Sequence, residues 1–128
     1  MKKLIIDAAN NKIFLMIISK DDIYNITKEN TKINYEKLTL IINNFLFSQS
    51  ISLKDIDRIY VNRGPGSFAG IRNSLSIAKA FYLTSKIDYY CFSFDDFKGE
   101  KDLKYENIPD LCDKFKIEKN LINPNYMV

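Results

Sequence analysis

The 128-residue sequence contains no histidine, two cysteines, three prolines and four glycines. Without histidine there is no Ser-His-Asp or Cys-His nucleophile, no His-ligated zinc and no ordinary near-neutral general base. Cys91 and Cys112 form neither a CxxC pair nor a disulfide framework, and both are expected as buried free thiols. Long apolar runs are also missing: the longest, Ile13 to Ile18, has six residues, the size of a strand. Met1-Lys2-Lys3 leads directly into Leu4-Ile5-Ile6 without a small-residue cleavage site, so a cytoplasmic protein with no membrane attachment is expected. Arginine occurs three times against sixteen lysines, nineteen isoleucines and thirteen asparagines. That skew reads as a compositional bias of the source genome, and lysine number therefore says little about function.

What is present describes one compact domain, or one domain with a small appendage: 46% of residues are hydrophobic and 27% charged. The net charge of +3 divides unevenly, with 13 basic and 8 acidic residues in 1–94 and 6 and 8 in 95–128. A weakly basic body could meet RNA or an acidic partner, yet the lysines are scattered and form no stripe.

Three antiparallel strands are expected first: Lys3 to Asp7, Ile13 to Ser19 after an Asn10-Asn11 turn, and a more exposed strand from Ile23 after Asp21-Asp22. A helix over Tyr35 to Ser48 follows, with Asn34 as N-cap and Tyr35, Leu38, Ile41, Ile42, Phe45 and Leu46 facing the core. Leu40 and Phe47 stand on its opposite side, where a solitary domain places charge. Ile59-Tyr60-Val61 is the next strand, apolar enough to lie inside a sheet. A second helix, Ser67 to Ser85 with Ser67 as N-cap, carries Phe68, Ile71, Leu75, Ala78 and Tyr82 inward. Only Arg72 and Lys79 are charged on it, and a helix apolar nearly all round needs a second covering surface. The strand Asp88 to Phe92, a capping box at Ser93, a polar linker over 98–107 and an amphipathic turn sharing Leu111 and Phe115 complete the chain.

Between strand and second helix runs Asn62-Arg63-Gly64-Pro65-Gly66-Ser67-Phe68-Ala69-Gly70-Ile71-Arg72, which holds three of the four glycines. A strand, a glycine turn and a helix N-terminus can bind an anion. The spacing is nevertheless neither a Walker loop, since Ile71-Arg72 follow the last glycine, nor GxGxxG. Tight turning and close helix packing are the preferred explanation of the glycines.

The order of three strands, helix, strand, helix, strand is that of the actin-like ATPase (ASKHA) half-domain, βββαβαβ. An α/β fold with a mixed five-stranded sheet, helices and a short C-terminal appendage follows. Arg63 to Arg72 closely resembles the GRGPGSFTGLR signature of the TsaB family, also called YeaZ. Leu4-Ile5-Ile6-Asp7 is similar to that family's first strand, and Pro124-Asn125-Tyr126-Met127 to its closing PxYL. The resemblance covers residues 3 to 97 and the extreme C-terminus. It implies a noncatalytic scaffold that binds TsaD and, with TsaE, supports threonylcarbamoyl transfer to adenosine 37 of tRNA (t6A), touching tRNA only indirectly. The signature loop (Arg63, Gly64, Pro65, Gly66, Ser67, Phe68, Gly70 and Arg72) would brace the second helix or lie near TsaE. Family members pair through the two helices, with TsaD or as homodimers. By position, that makes Leu40, Asn43 and Phe47 with Ser74, Ile77 and Phe81 the interface residues.

Departures from the family pattern sharpen the expectation. Ala8-Ala9 stand where the family has Thr-Ser, the family's histidine at the first helix is absent, and no histidine pair can hold a metal, so no catalytic residue, metal or cofactor is expected. Residues 1–97 correspond to the N-terminal lobe, whereas only 98–128 stand where members carry a second lobe, an arrangement that suggests internal loss. Three other readings remain open: a residual ATP-dependent enzyme using Asp7 and Ser67 with the Gly64 to Gly70 amides, a homodimeric protein outside the pathway, and an RNA-binding module.

Overall fold

The computed structural model describes residues 1–126, so Met127 of the closing motif lies outside the described residues. Strands β1 (Lys3–Asp7), β2 (Lys12–Ile18), β3 (Ile23–Glu29), β4 (Arg58–Asn62) and β5 (Asp88–Phe92) form one sheet of order β3-β2-β1-β4-β5. β1 pairs antiparallel with β2, and β2 with β3, while β1, β4 and β5 run parallel. The expected βββαβαβ order and mixed five-stranded sheet are therefore present.

Strand period fixes which residue enters which layer. Leu4 and Ile6 of β1 lie in one core with Ile13, Leu15, Ile17, Ile59 and Val61, under the helices. Ile5, Met16, Tyr60 and Phe92 point the other way and are covered by Phe97, Ile108, Leu111 and Cys112. The central strands are thus buried on both faces, which is why β1, β2 and β4 read as nearly continuous apolar runs, whereas the edge strand β3 is mostly exposed.

The first helix is two helices. α1 (Lys32–Glu36) is capped by Thr31, whose Oγ1 accepts from the Asn34 N–H at 3.3 Å, and α2 (Leu38–Ser48) follows a break at Lys37. Asn34 is not the cap. Its side-chain amide donates to the Glu29 carbonyl, because the extended backbone at Thr31 already turns the chain. The core stripe holds as expected, with Leu38, Ile42, Phe45 and Leu46 buried and Tyr35 and Ile41 packed against them.

α3 (Phe68–Ser85) starts at the expected cap, the Gly70 N–H donating to Ser67 Oγ at 3.2 Å. Its buried face is Gly70, Ile71, Ser74, Leu75, Ala78 and Phe81. Three expectations for this helix are corrected. Phe68 is not inward but 57% exposed, lying in the first turn against Tyr126. Ser74 and Phe81 do not belong to an outer surface, being 0% and 8% exposed. Ser74 sits on the Ile71–Ala78 stripe and buries its hydroxyl by donating to the Ile71 carbonyl at 3.0 Å. Phe81, a turn beyond Ala78, continues that stripe into the core.

Residues 98–126 cross the second sheet face and its edge. Leu103, Tyr105, Phe115 and Ile117 pack on the second core, and α4 (Ile108–Lys114) supplies its buried Ile108, Leu111 and Cys112. Beyond α4 the chain reaches the open edge of β5. Asn120 donates its N–H to the Tyr89 carbonyl at 2.7 Å and accepts the Tyr89 N–H on its side chain at 2.9 Å. The edge is thereby closed to other strands. Among the described residues no helix is long and apolar enough to cross a membrane.

Burial separates Phe81 from Leu40, and urea unfolding should do the same. Phe81→Ala is expected to cost about 3 kcal/mol, whereas Leu40→Glu should stay within about 0.5 kcal/mol of the parent. Equal effects would contradict the assignment of Phe81 to the core.

Candidate functional site

Parallel β1, β4 and β5 bring Asp7, Asn62 and Phe92 to one edge, the place outside the carboxyl ends where open α/β sheets receive ligands. Here the chain's own side chains occupy it. Asp7 is 1% exposed and accepts three hydrogen bonds: from the Ala9 N–H at 3.0 Å, Asn62 Nδ2 at 3.0 Å and the Tyr105 hydroxyl at 2.6 Å. Asn62 passes the network on, its Oδ1 accepting from the Gly64 N–H at 2.9 Å. Tyr105 is stacked on Phe14 with ring centroids 4.1 Å apart and meets Phe94 edge-on. Burial, followed by the charge of Asp7, pushes the Tyr105 phenol far above its ordinary range, so it remains a donor at neutral pH.

The glycine loop is explained by what it touches. Gly64 has φ +108°, and a Cβ there would lie 2.1 Å from the Asn125 carbonyl oxygen. A Cβ on Gly66 or Gly70 would lie 2.0 Å from the carbonyl oxygen of Ala9 or Ala8 respectively. The β1–β2 turn, the loop and the C-terminal tail therefore meet backbone to backbone. Hydrogen bonds fix the contact: the Ser67 N–H donates to Ala9 and the Asn125 N–H to Arg63, both at 2.7 Å. Peptide bond Gly64–Pro65 is cis, and Pro65 is exposed.

Arg63 points into this junction. Its guanidinium forks onto Asp96, Nη2 to Oδ1 at 2.6 Å and Nε to Oδ2 at 3.3 Å, and Nη1 donates to the Asn123 carbonyl at 3.3 Å. With side-chain exposures of 15% and 21%, the pair is largely enclosed and geometrically specific. Arg72 does the opposite, lying exposed with its guanidinium 5.7 Å from the Phe68 ring centre. The signature residues thus divide into an inward set, Arg63, Gly64, Gly66, Ser67 and Gly70, and an outer rim of Pro65, Phe68 and Arg72. Sequence reasoning missed Tyr105, Asn123 and the partner of Arg63. Only Asp96 carried a signal, as the third position of the Ser93 capping box.

Leu40 and Phe47 share the outer side of α2 at 55% and 83% exposure, with exposed Asn43 between them. Half-buried Ile77 lines a cleft of about 290 Å³ between the helices, with Tyr35, Leu38, Thr39 and Asn73. Four of the six interface residues therefore border accessible surface. Ser74 and Phe81 do not.

Neither thiol offers chemistry, since burial pushes Cys91 up to about 11 and Cys112 up to about 12. Among the described residues no group of three or more His, Cys, Asp or Glu side chains could hold a metal ion.

Fold and site together define an α/β half-domain of the actin-like ATPase class whose strand-end crevice is filled from within. The model of the family TsaD, tRNA N6-adenosine threonylcarbamoyltransferase, matches residues 4–93. A tRNA threonylcarbamoyladenosine biosynthesis protein TsaB from Buchnera aphidicola subsp. Schizaphis graminum (strain Sg) is 31% identical over 90 residues, 70% of this chain and 43% of that protein. TsaB of Buchnera aphidicola subsp. Baizongia pistaciae (strain Bp) is 31% identical over 80 residues, 62% of this chain and 36% of that protein. This chain belongs to the TsaB (YeaZ) family, and it spans less than half the length of the curated relatives it matches. YeaZ from Pseudomonas aeruginosa superposes with a TM-score of 0.66 at 16% identity, over 72% of this chain and 43% of that one. Thermus thermophilus RuvC in complex with a Holliday junction substrate gives 0.55 at 9% identity, over 98% and 85%. Both structural likenesses concern the fold.

The Asp7 network makes Tyr105 a structural donor. Tyr105→Phe, which leaves Asp7 one donor short, is expected to destabilise the chain by about 1–2 kcal/mol in urea unfolding. An unchanged midpoint would contradict that role.

Proposed function

We propose that this chain is a noncatalytic scaffold subunit in t6A biosynthesis, binding a TsaD-type enzyme that transfers threonylcarbamoyl to adenosine 37 of tRNA. The observation that carries the reading is the outer surface of the helices, where Leu40, Phe47 and Leu83 are 55%, 83% and 58% exposed. Leu40 and Phe47, one face of α2, and Leu83 on α3 supply large apolar anchors of the kind a protein interface uses. Two named TsaB relatives support the pathway. In this reading residues 1–97 are the family's N-terminal lobe, and 98–126 cover the face and fill the crevice that a second lobe would adjoin. TsaE is the further partner, tRNA is approached through the enzyme, and the complex works in the cytoplasm. A homodimer would use the same helices.

The noncatalytic part of the reading is supported by chemistry at the strand ends. Both oxygens of Asp7 are bonded to internal donors, and the amides of Gly64, Ser67 and Gly70 donate within the chain. Metal-bound water and phosphate would have to displace those bonds.

Co-purification with the TsaD-type enzyme of the same source, followed by sizing, tests the proposal. A 1:1 complex is expected, and Leu40→Glu or Phe47→Glu should weaken it by a factor on the order of a hundred, a charge replacing a buried anchor. Circular dichroism should stay unchanged for both variants. Failure of the parent chain to bind, or full binding by both variants, would overturn the reading.

A further inference from the structure

A groove of about 320 Å³ runs between α3 and the tail segment 122–126. Arg72, Ser76 and Lys79 form its helical wall, with Leu75 as an apolar floor. Ile122, Pro124 and Tyr126 form the facing wall. The lining is mainly apolar, yet a cation stands at each end. Arg72 and Lys79 are seven residues apart, or about 10.5 Å along the helix axis.

Among the described residues neither cation has an ion-pair partner. The ion pairs among the described residues involve Lys12, Arg63, Lys114 and Lys119, and α3 contains no Asp or Glu between residues 68 and 85. Ser76 also lines the cleft on the other side of α3, beside Asn73 and Ile77, so the groove borders the interface proposed above.

We infer that the protein partner covering α3 carries an acidic–apolar–acidic face, one large apolar side chain entering the groove over Leu75 and two carboxylates about two helical turns apart meeting Arg72 and Lys79. This inference rests on the scaffold reading and specifies the partner's chemistry. A second copy of this chain fits less well, because its own α3 brings two more cations and no carboxylate to such a contact. Charge complementarity of this kind selects the partner and speeds encounter, and it makes the complex sensitive to salt. The apolar floor supplies the anchor site.

The experiment measures the dissociation constant of the full chain with the TsaD-type enzyme of the same source, at low and high ionic strength. The exposed double variant Arg72→Glu/Lys79→Glu is expected to bind at least about tenfold more weakly at low salt and to lose most of the salt dependence. Lys79→Arg should bind as the parent does. A double variant with the parent's affinity and salt response overturns this inference and leaves the scaffold reading standing. If the parent binds no enzyme, or only self-associates, both fall together.

Discussion

A carboxylate sealed from water needs donors on every side, and Asp7 obtains them from three parts of the chain that are far apart in sequence. Ala9 fixes the turn out of β1, Asn62 ties β1 to β4 and hands the bonding on to the glycine loop, and Tyr105 brings the C-terminal segment onto the sheet. The geometry of the strand ends depends on that one buried group. The Arg63–Asp96 fork and the close approach of Gly64 to Asn125 then lock the tail against the same edge.

The functional consequence concerns which surfaces are left. With the central strands covered on both faces, the β5 edge paired and the strand-end crevice filled, large apolar side chains remain open on α2 (Leu40, Phe47) and α3 (Phe68, Leu83), and also at Ile23, Ile33 and the tail. Leu40 and Phe47 reach solvent because α2 needs only one stripe for the core, and Phe68 does so because it lies in the first turn of α3 against the tail.

Much of this was legible in the sequence because it rests on local periodicity and short-range capping. The strands lie within a residue of their expected limits, and the Ser67 cap and the α2 core stripe are as expected. The helix break at Lys37 was hidden, since Thr31 caps α1 from a turn whose backbone has no distinct sequence pattern. Ser74 and Phe81 were misplaced for opposite reasons. A serine can bury its hydroxyl against its own helix, and on a helix apolar nearly all round the wheel does not say which apolar residues face in. Tyr105, in a stretch that reads as polar linker, and Asn123, just before the closing motif, act through contacts with segments far away along the chain, so nothing local marks them.

The central claim is that this chain serves the tRNA modification without catalysing a step itself. The most direct measurement is a reconstitution with the TsaD-type and TsaE-type proteins, threonylcarbamoyl adenylate and tRNA, read as t6A nucleoside by chromatography with and without this chain. The account predicts that t6A forms only when the chain is added, and that the chain alone turns over no ATP. Equal t6A in its absence, or ATP hydrolysis by the isolated chain that Asp7→Ala removes, would contradict it.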